Sequence, residues 1–464
     1  MNKTDLLMSE NTGKFKKAMR PIDVWGLALG AIIGWGCFVL PGNAFLPKAG
    51  PAGTAAGMMI GALMIIIIAV SYGYLIKKFP VSGGEFVYTK EAIGKRNAFV
   101  CGWGMILAYW SLIPLNATAL ALISRYLFPG IVQWGLLYEV AGWEVYAGEV
   151  VLASAFIIIM ALINIRGIKQ AAWMQTAIAL TLVGCILIVT FFVLSISDWS
   201  NLAPGFPEGR HWWKGVFSIV AMAPWAFIGF DCIPQSAEEY NFSHRKSTNI
   251  MILAVLIAAL LYIAVCTVTA VGLEPWQELL ASRNNWPTGH VVRNTMGIAG
   301  LSVLGIAMFC AVISGMNAFY ISTSRLMYAM AKEGSLPKWF EHISPKHGTP
   351  KNAILFTMAA SLFAPWFGRE ILIWIVDMTS VGAAIVFAYT TASAAIIARR
   401  NGSRKYLIFG IIGCLFSLFF LSLLIVPGMP GYLSQQSRVV LLAWIAIGFL
   451  FYMIIRKSYV KGQN

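Results

Sequence analysis

The sequence predicts an all-α membrane protein with twelve transmembrane helices, the first and sixth of them interrupted at mid-depth. Three observations carry this prediction: the composition, a series of apolar runs of spanning length, and the way basic residues alternate between the connections. Of the 464 residues, 59% are hydrophobic and 11% charged, against about a quarter charged in a soluble chain. Mean hydropathy is +0.74. Too few charges remain to clothe a water-facing surface of this mass. Soluble enzymes, secreted domains and nucleic-acid binders are therefore excluded.

A helix needs about 20 apolar residues to cross roughly 30 Å of hydrocarbon. Runs of that kind fall at 24–46, 53–76, 98–128, 149–164, 173–196, 213–236, 249–272, 298–324, 352–367, 371–398, 406–427 and 438–456. The fourth and ninth are short. With the amino terminus inside, 26 of the 34 lysines and arginines fall on the cytoplasmic side. The other eight are Lys48, Arg125, Arg210, Lys214, Arg283, Arg293, Arg369 and Arg438. That asymmetry is the positive-inside bias, and it accounts for the net charge of +15 without a polyanionic partner. Both termini are expected in the cytoplasm of a cell whose plasma membrane the chain spans.

The organisation follows in order. Residues 1–23 are a polar, basic cytoplasmic segment without a convincing cleavage site, so no removable signal peptide is expected. Residues 24–398 form a ten-helix core, and 399–464 add helices eleven and twelve and a cytoplasmic end. Connections at 77–97, 129–148, 273–297 and 325–351 are the longest; Glu85–Ile93 and Trp276–Ala281 read as short surface helices.

The first span breaks the rule that lipid-facing helices are uniform apolar runs. Gly34 and Gly36 sit halfway along it, and Pro41 follows. Mid-helix glycine costs about 1 kcal/mol relative to alanine. Gly30 and Gly34 fit close helix packing through small residues; they equally fit an interruption whose freed N–H groups face a cavity. The sixth span favours the interruption, because Pro224, Gly229, Asp231 and Pro234 all fall within it. Corresponding breaks five helices apart point to a secondary transporter of inverted repeats, spans 1–5 and 6–10, with substrate between the broken helices. Half-helix N-termini suit a carboxylate and C-terminal carbonyls suit an ammonium group. A zwitterionic amino acid matches both, and an amine only the second.

The residues Gly34-Trp35-Gly36-Cys37-Phe38-Val39-Leu40-Pro41 resemble the first-helix signature of the amino acid–polyamine–organocation permeases. Phe79-Pro80-Val81-Ser82-Gly83-Gly84-Glu85-Phe86-Val87-Tyr88 is similar to the segment after their second helix. Trp225–Asp231 followed by Ala237-Glu238-Glu239 resembles their sixth helix and its acidic exit. Asn317 through Ser324-Arg325, then Ala329–Pro337, is similar to their eighth-helix run. The matches stand in order across roughly residues 20–400.

This resemblance implies a LeuT-like five-plus-five inverted-repeat fold, alternating access and transport of amino acids, with amine or polyamine transport as the alternative. The substrate carboxylate would sit on amides near Ile33, Gly34, Trp35 and Gly36, and its amine near carbonyls from Trp225, Ala226, Phe227 and Ile228 to Gly229. Trp225, Ile228 and Asp231 look most like the arginine/agmatine antiporter. Phe319 aligns with an aromatic that stacks on substrate there, and Tyr109 with a gating tyrosine. Two departures stand out. Trp35 replaces a usually small residue. The fifth span, near Thr181 and Leu182, carries no lysine like that of several proton-coupled relatives. Exchange, facilitated flux or a sodium site at Ser314 with backbone carbonyls all stay open.

Asp231 and Asp377 are the acidic residues deep in the spans, where an Asp costs about 2.5–3.5 kcal/mol. Asp231 reads as a cap on the inner half of helix six or as a gate; Asp377 reads as a packing or gate residue. Asn116 is either interhelical glue or a substrate contact. The aromatics Trp35, Phe227 and Phe319 serve packing or a cation–π contact with an ammonium. The seven cysteines are isolated in apolar stretches, and the five histidines lie in loops or at span ends. No cofactor, metal or ATP site is expected. A channel or sensor on the same fold is the rival reading; a membrane enzyme lacks the clustered polar residues it would need.

Overall fold

The computed structural model describes residues 17–140, 143–209, 211–282, 286–368 and 370–461. Residues 1–16 of the expected N-terminal segment, and Arg210, Arg283 and Arg369 of the outer basic set, lie outside the described residues. The molecule is a helical bundle. Among the described residues, nine helices are long and apolar enough to cross a membrane. Three of the twelve expected spans, the first, sixth and ninth, are not continuous helices of that length.

The first is split into α1 (Pro21–Ile32) and α2 (Gly36–Leu40), which continues through a π-helical turn at Pro41–Phe45. A 12-residue helix reaches only about 18 Å at 1.5 Å per residue, short of the hydrocarbon thickness. Next come α3 (Leu46–Lys78), α4 (Gly84–Ala92) and α5 (Lys95–Leu127). Gly50, at φ 67° and followed by Pro51, turns the chain from the first span into the second. The connection at 129–148 contains an antiparallel strand pair, β1 (Leu136–Val140) and β2 (Trp143–Tyr146). Helices α6 (Ala147–Arg166) and α7 (Ile168–Ile196) follow.

The sixth segment is the most fragmented: α8 (Trp212–Val220), α9 (Ala223–Ala226) and α10 (Cys232–Gln235). After it come α11 (Ser247–Val271), α12 (Trp276–Ala281) and α13 (Pro287–Lys332), the last bent at Gly297. The ninth expected span holds only α14 (Lys351–Ser361) and a 3₁₀ turn at Ala364–Phe367. Helices α15 (Glu370–Arg400), α16 (Arg404–Ile425) and α17 (Gln435–Lys461) end the chain.

Packing places the interruptions centrally. α1 lies against α7, α11 and α13, and α13 also packs on α5 and α7. α3 packs on α8 and α11, and α5 on α15. α17 is peripheral, with most of its described residues exposed or half-buried.

The reading of Glu85–Ile93 as a surface helix is corrected. α4 buries Glu85, Phe86, Tyr88 and Thr89. The cause is the glycine pair before it: Gly83 at φ 100° and Gly84 at φ 41° adopt a left-handed turn that other residues resist. That turn carries the chain in against Ala329 and Gln235.

Candidate functional site

At the first interruption Ile33 leaves helical geometry (φ −86°, ψ 89°), and the Gly34 N–H turns back to the Ile32 carbonyl at 3.1 Å. Trp35 is helical again and starts α2. Among the described residues, the N–H groups of Trp35 and Gly36 meet no backbone acceptor. These are the orphan donors of a helix start, held inside the protein instead of at its surface. At the second interruption Gly229 takes φ 130°. The carbonyls of Ala226, Phe227 and Ile228 accept no hydrogen bond from the backbone of the described residues.

The two interruptions touch. A methyl group on Gly229 would stand 2.6 Å from the Ala31 Cβ and 2.7 Å from the Ile32 N. One on Gly36 would run into the Trp225 indole. The Trp35 and Trp225 rings meet edge to face at 6.4 Å. Asn116 comes in from α5: its Nδ2 donates to the Leu112 carbonyl at 2.8 Å, while its Oδ1 is unpaired beside Gly34. The Trp35 and Trp225 indole N–H groups and the Tyr109 hydroxyl are also buried without a partner. Buried polar groups are normally satisfied, and among the described residues these four concentrate polarity around one gap.

Tyr109 and Phe319 face each other with ring centroids 5.9 Å apart. Phe227 instead packs on Tyr262 at 6.3 Å. Ile33, Ala226 and Ile228 are buried along the two breaks. Asp231 turns back on its own chain: Oδ1 accepts the Gly229 N–H at 2.7 Å, and Oδ2 is unpaired. Asp377 lies apart from this group, accepting from the Ser437 hydroxyl at 2.7 Å beside the first turn of α17.

Ser314 does not face the gap with an open oxygen. Gln175 Nε2 donates to its Oγ at 2.6 Å and to the Gly26 carbonyl at 3.2 Å. The Gln175 Oε1 accepts from Asn317 at 2.8 Å, and the Asn317 Oδ1 accepts from Asn164 at 2.9 Å. This amide chain ties α1, α6, α7 and α13 together. Gln175 and Asn164 were missed in the sequence. Their signal was available as two uncharged amides near facing ends of spans four and five.

One small cavity of ≈ 40 Å³ opens beside Trp35, with Thr118, Leu122, Val145, Glu149 and Pro365 among its walls. It has room for about one water. At the opposite end the bundle is shut. Arg325 and Glu239, each 1% exposed, pair at 2.8 Å. The Glu239 carbonyl accepts the N–H groups of Ala18 and Met19 at 2.9 and 3.0 Å, so the chain before α1 crosses beneath the sixth segment.

The nine apolar helices among the described residues, with two touching helix interruptions, define a multi-pass membrane protein. The chain belongs to the amino acid permease family, whose profile matches residues 21–451. It is 27% identical to the branched-chain amino acid permease BcaP of Bacillus subtilis over 98% of this chain and 97% of that protein. It is 25% identical to the methylthioribose transporter of B. subtilis, over 96% and 94% of the two chains. With the low-affinity putrescine importer PlaP of Escherichia coli it shares 24% identity over 86% and 84%. The protein is a transporter, not an enzyme.

Proposed function

We infer that the protein carries a zwitterionic amino acid across the plasma membrane by alternating access, binding it between the two interruptions. One observation carries this reading: main-chain groups of opposite sign are left unpaired where the breaks meet. The N–H groups of Trp35 and Gly36 would take the carboxylate, and the carbonyls of Ala226, Phe227 and Ile228 the amine. Gly34 leaves the approach open, Asn116 Oδ1 offers a further acceptor, and Trp225 and the Tyr109–Phe319 pair supply apolar walls. Asp231, bonded to the Gly229 amide, shapes the break and leaves the binding face short of negative charge. That favours a neutral apolar side chain over a cationic one.

The packing pattern supports the five-plus-five inverted repeat within twelve spans. Contacts recur when five is added to each span number. Three with ten (α5, α15) matches eight with five (α13, α7), and two with six (α3, α8) matches seven with one (α11, α1). One with five (α1, α7) matches six with ten (α9, α15). Residues 24–398 then form the core, with the last two helices appended and both termini cytoplasmic. The Arg325–Glu239 pair and the crossing chain at Ala18 close the cytoplasmic face, while Trp35 closes the path to the small outer cavity.

An amine such as putrescine is the second reading, favoured by the similarity to the putrescine importer. It would leave the Trp35 and Gly36 N–H groups unpaired. Uptake of labelled leucine, arginine, putrescine and methylthioribose into proteoliposomes decides between them: leucine should be taken up with saturation and should exchange with internal leucine. Uptake of putrescine alone, or of none, contradicts the assignment.

A further inference from the structure

Below the second interruption lies a polar cluster whose two carboxylates substrate binding does not use. Glu85, at the start of α4, and Asp231, at the foot of the sixth-segment break, are both fully buried. Gln235, one turn beyond Asp231, donates its Nε2 to Glu85 Oε2 and so links the two elements. The other carboxylate oxygens, Glu85 Oε1 and Asp231 Oδ2, have no hydrogen-bond partner. Among the described residues the Gln235 Oε1 has none either, while the buried hydroxyls of Tyr72 and Tyr109 face Glu85 and Asp231 respectively without a short hydrogen bond.

Two ionised carboxylates in such a place are untenable. An uncompensated buried carboxylate costs several kcal/mol or more, and two near each other repel, so the pair titrates as a unit with one member kept neutral. The titratable groups facing them supply no positive charge. Tyr72 comes from α3, Cys101 and Tyr109 from α5, Tyr88 from α4 itself and Cys232 from α10. Each is neutral or anionic. Arg325 is paired with Glu239. Burial foremost, and then the charge of Asp231, push the Glu85 carboxyl well above the ordinary range.

We propose that Glu85 and Asp231 together form the site at which this permease binds a proton that it carries with its substrate. The proposal rests on the permease reading above. It gives the coupling acid a place other than the fifth span, which carries no lysine near Thr181 and Leu182. The pair lies between the substrate gap and the Arg325–Glu239 closure. Opening that closure would hydrate both carboxylates and release the proton to the cytoplasmic side. Substrate binding above would hold Asp231 against Gly229 and keep the proton in place. The balance is one proton bound by the doubly negative pair and one released, with no other group altered.

The test uses purified full-length protein in two measurements. Infrared difference spectra across a pH series read protonated carboxyl directly, without substrate. The wild type should retain a carboxylic acid band at neutral pH, and Glu85→Gln should lose it. Proteoliposomes with a trapped pH dye then read proton movement when leucine, arginine or putrescine is added outside. In the wild type the lumen should acidify; in Glu85→Gln that signal should be lost while exchange at equal pH on both sides continues.

Exchange in the wild type without proton movement, or uptake that requires sodium, overturns the proposal and leaves the permease reading intact. No exchange of any probe overturns the permease reading, and with it the coupling; the infrared band then tests the pair alone, and its absence at neutral pH overturns that too. Undiminished acidification by folded Glu85→Gln also overturns it. Should that variant fail to fold, the wild-type spectra and dye signal still decide.

Discussion

Gly229 sits directly on the last turn of α1, its Cα hydrogen occupying space that an added methyl would have to share with Ala31 Cβ at 2.6 Å. The contact joins the two interruptions: Gly229 lies against α1 where that helix stops at Ile32. Its φ of 130° is open to glycine and strained for other residues.

Gly229→Ala is therefore expected to combine backbone strain with a clash against main chain that cannot move aside. Stability should fall by at least about 1 kcal/mol, read as a lower unfolding temperature in detergent, and uptake should be lost. A variant as stable and as active as the wild type would separate the two breaks.

Gly36→Ala should abolish uptake while expression persists, because the methyl meets the rigid edge of the Trp225 indole. Trp225→Leu in the same chain makes room, so the double variant should recover part of the transport. Initial uptake rates of the two singles and the double form a cycle. Full additivity would mean that the contact plays no part.

Arg325 and Glu239 are both buried, and removing one leaves the other charge without compensation. Arg325→Met should cost about 3–5 kcal/mol, and the double variant Arg325→Met with Glu239→Met should cost clearly less. Thermal unfolding of the four proteins checks this. Equal losses in single and double variants would contradict a structural pair.

Uptake should be indifferent to replacing sodium by potassium. The Gln175 amide already donates to Ser314 Oγ and the Gly26 carbonyl, the oxygens that a sodium ion at Ser314 would need. Sodium-dependent uptake would show that this amide moves away in the working protein.

Much of this architecture was legible in the chain. Apolar runs located the long helices, and Gly34, Gly36, Pro224 and Gly229 marked both interruptions, because glycine and proline act on the backbone locally. What was not legible depends on tertiary proximity. Glu85 reads as a solvent-facing residue of a connecting helix, and only the left-handed turn at Gly83 and Gly84 tucks it in. Gln175 is an ordinary amide until α7 packs against α13 and brings it to Ser314. The strand pair at 136–140 and 143–146 escaped because a short exposed pair of strands leaves no strong periodicity. Asp377, read from its depth as a packing or gate residue, accepts from the Ser437 hydroxyl at the start of α17, a partner that sequence alone does not name.

The most direct measurement is the structure of the protein in lipid nanodiscs with leucine bound. The account predicts the leucine carboxylate on the N–H groups of Trp35 and Gly36, its ammonium on the carbonyls between Ala226 and Ile228, and its side chain against Trp225. Leucine bound elsewhere, or helices running unbroken through Gly34 and Gly229, would contradict it.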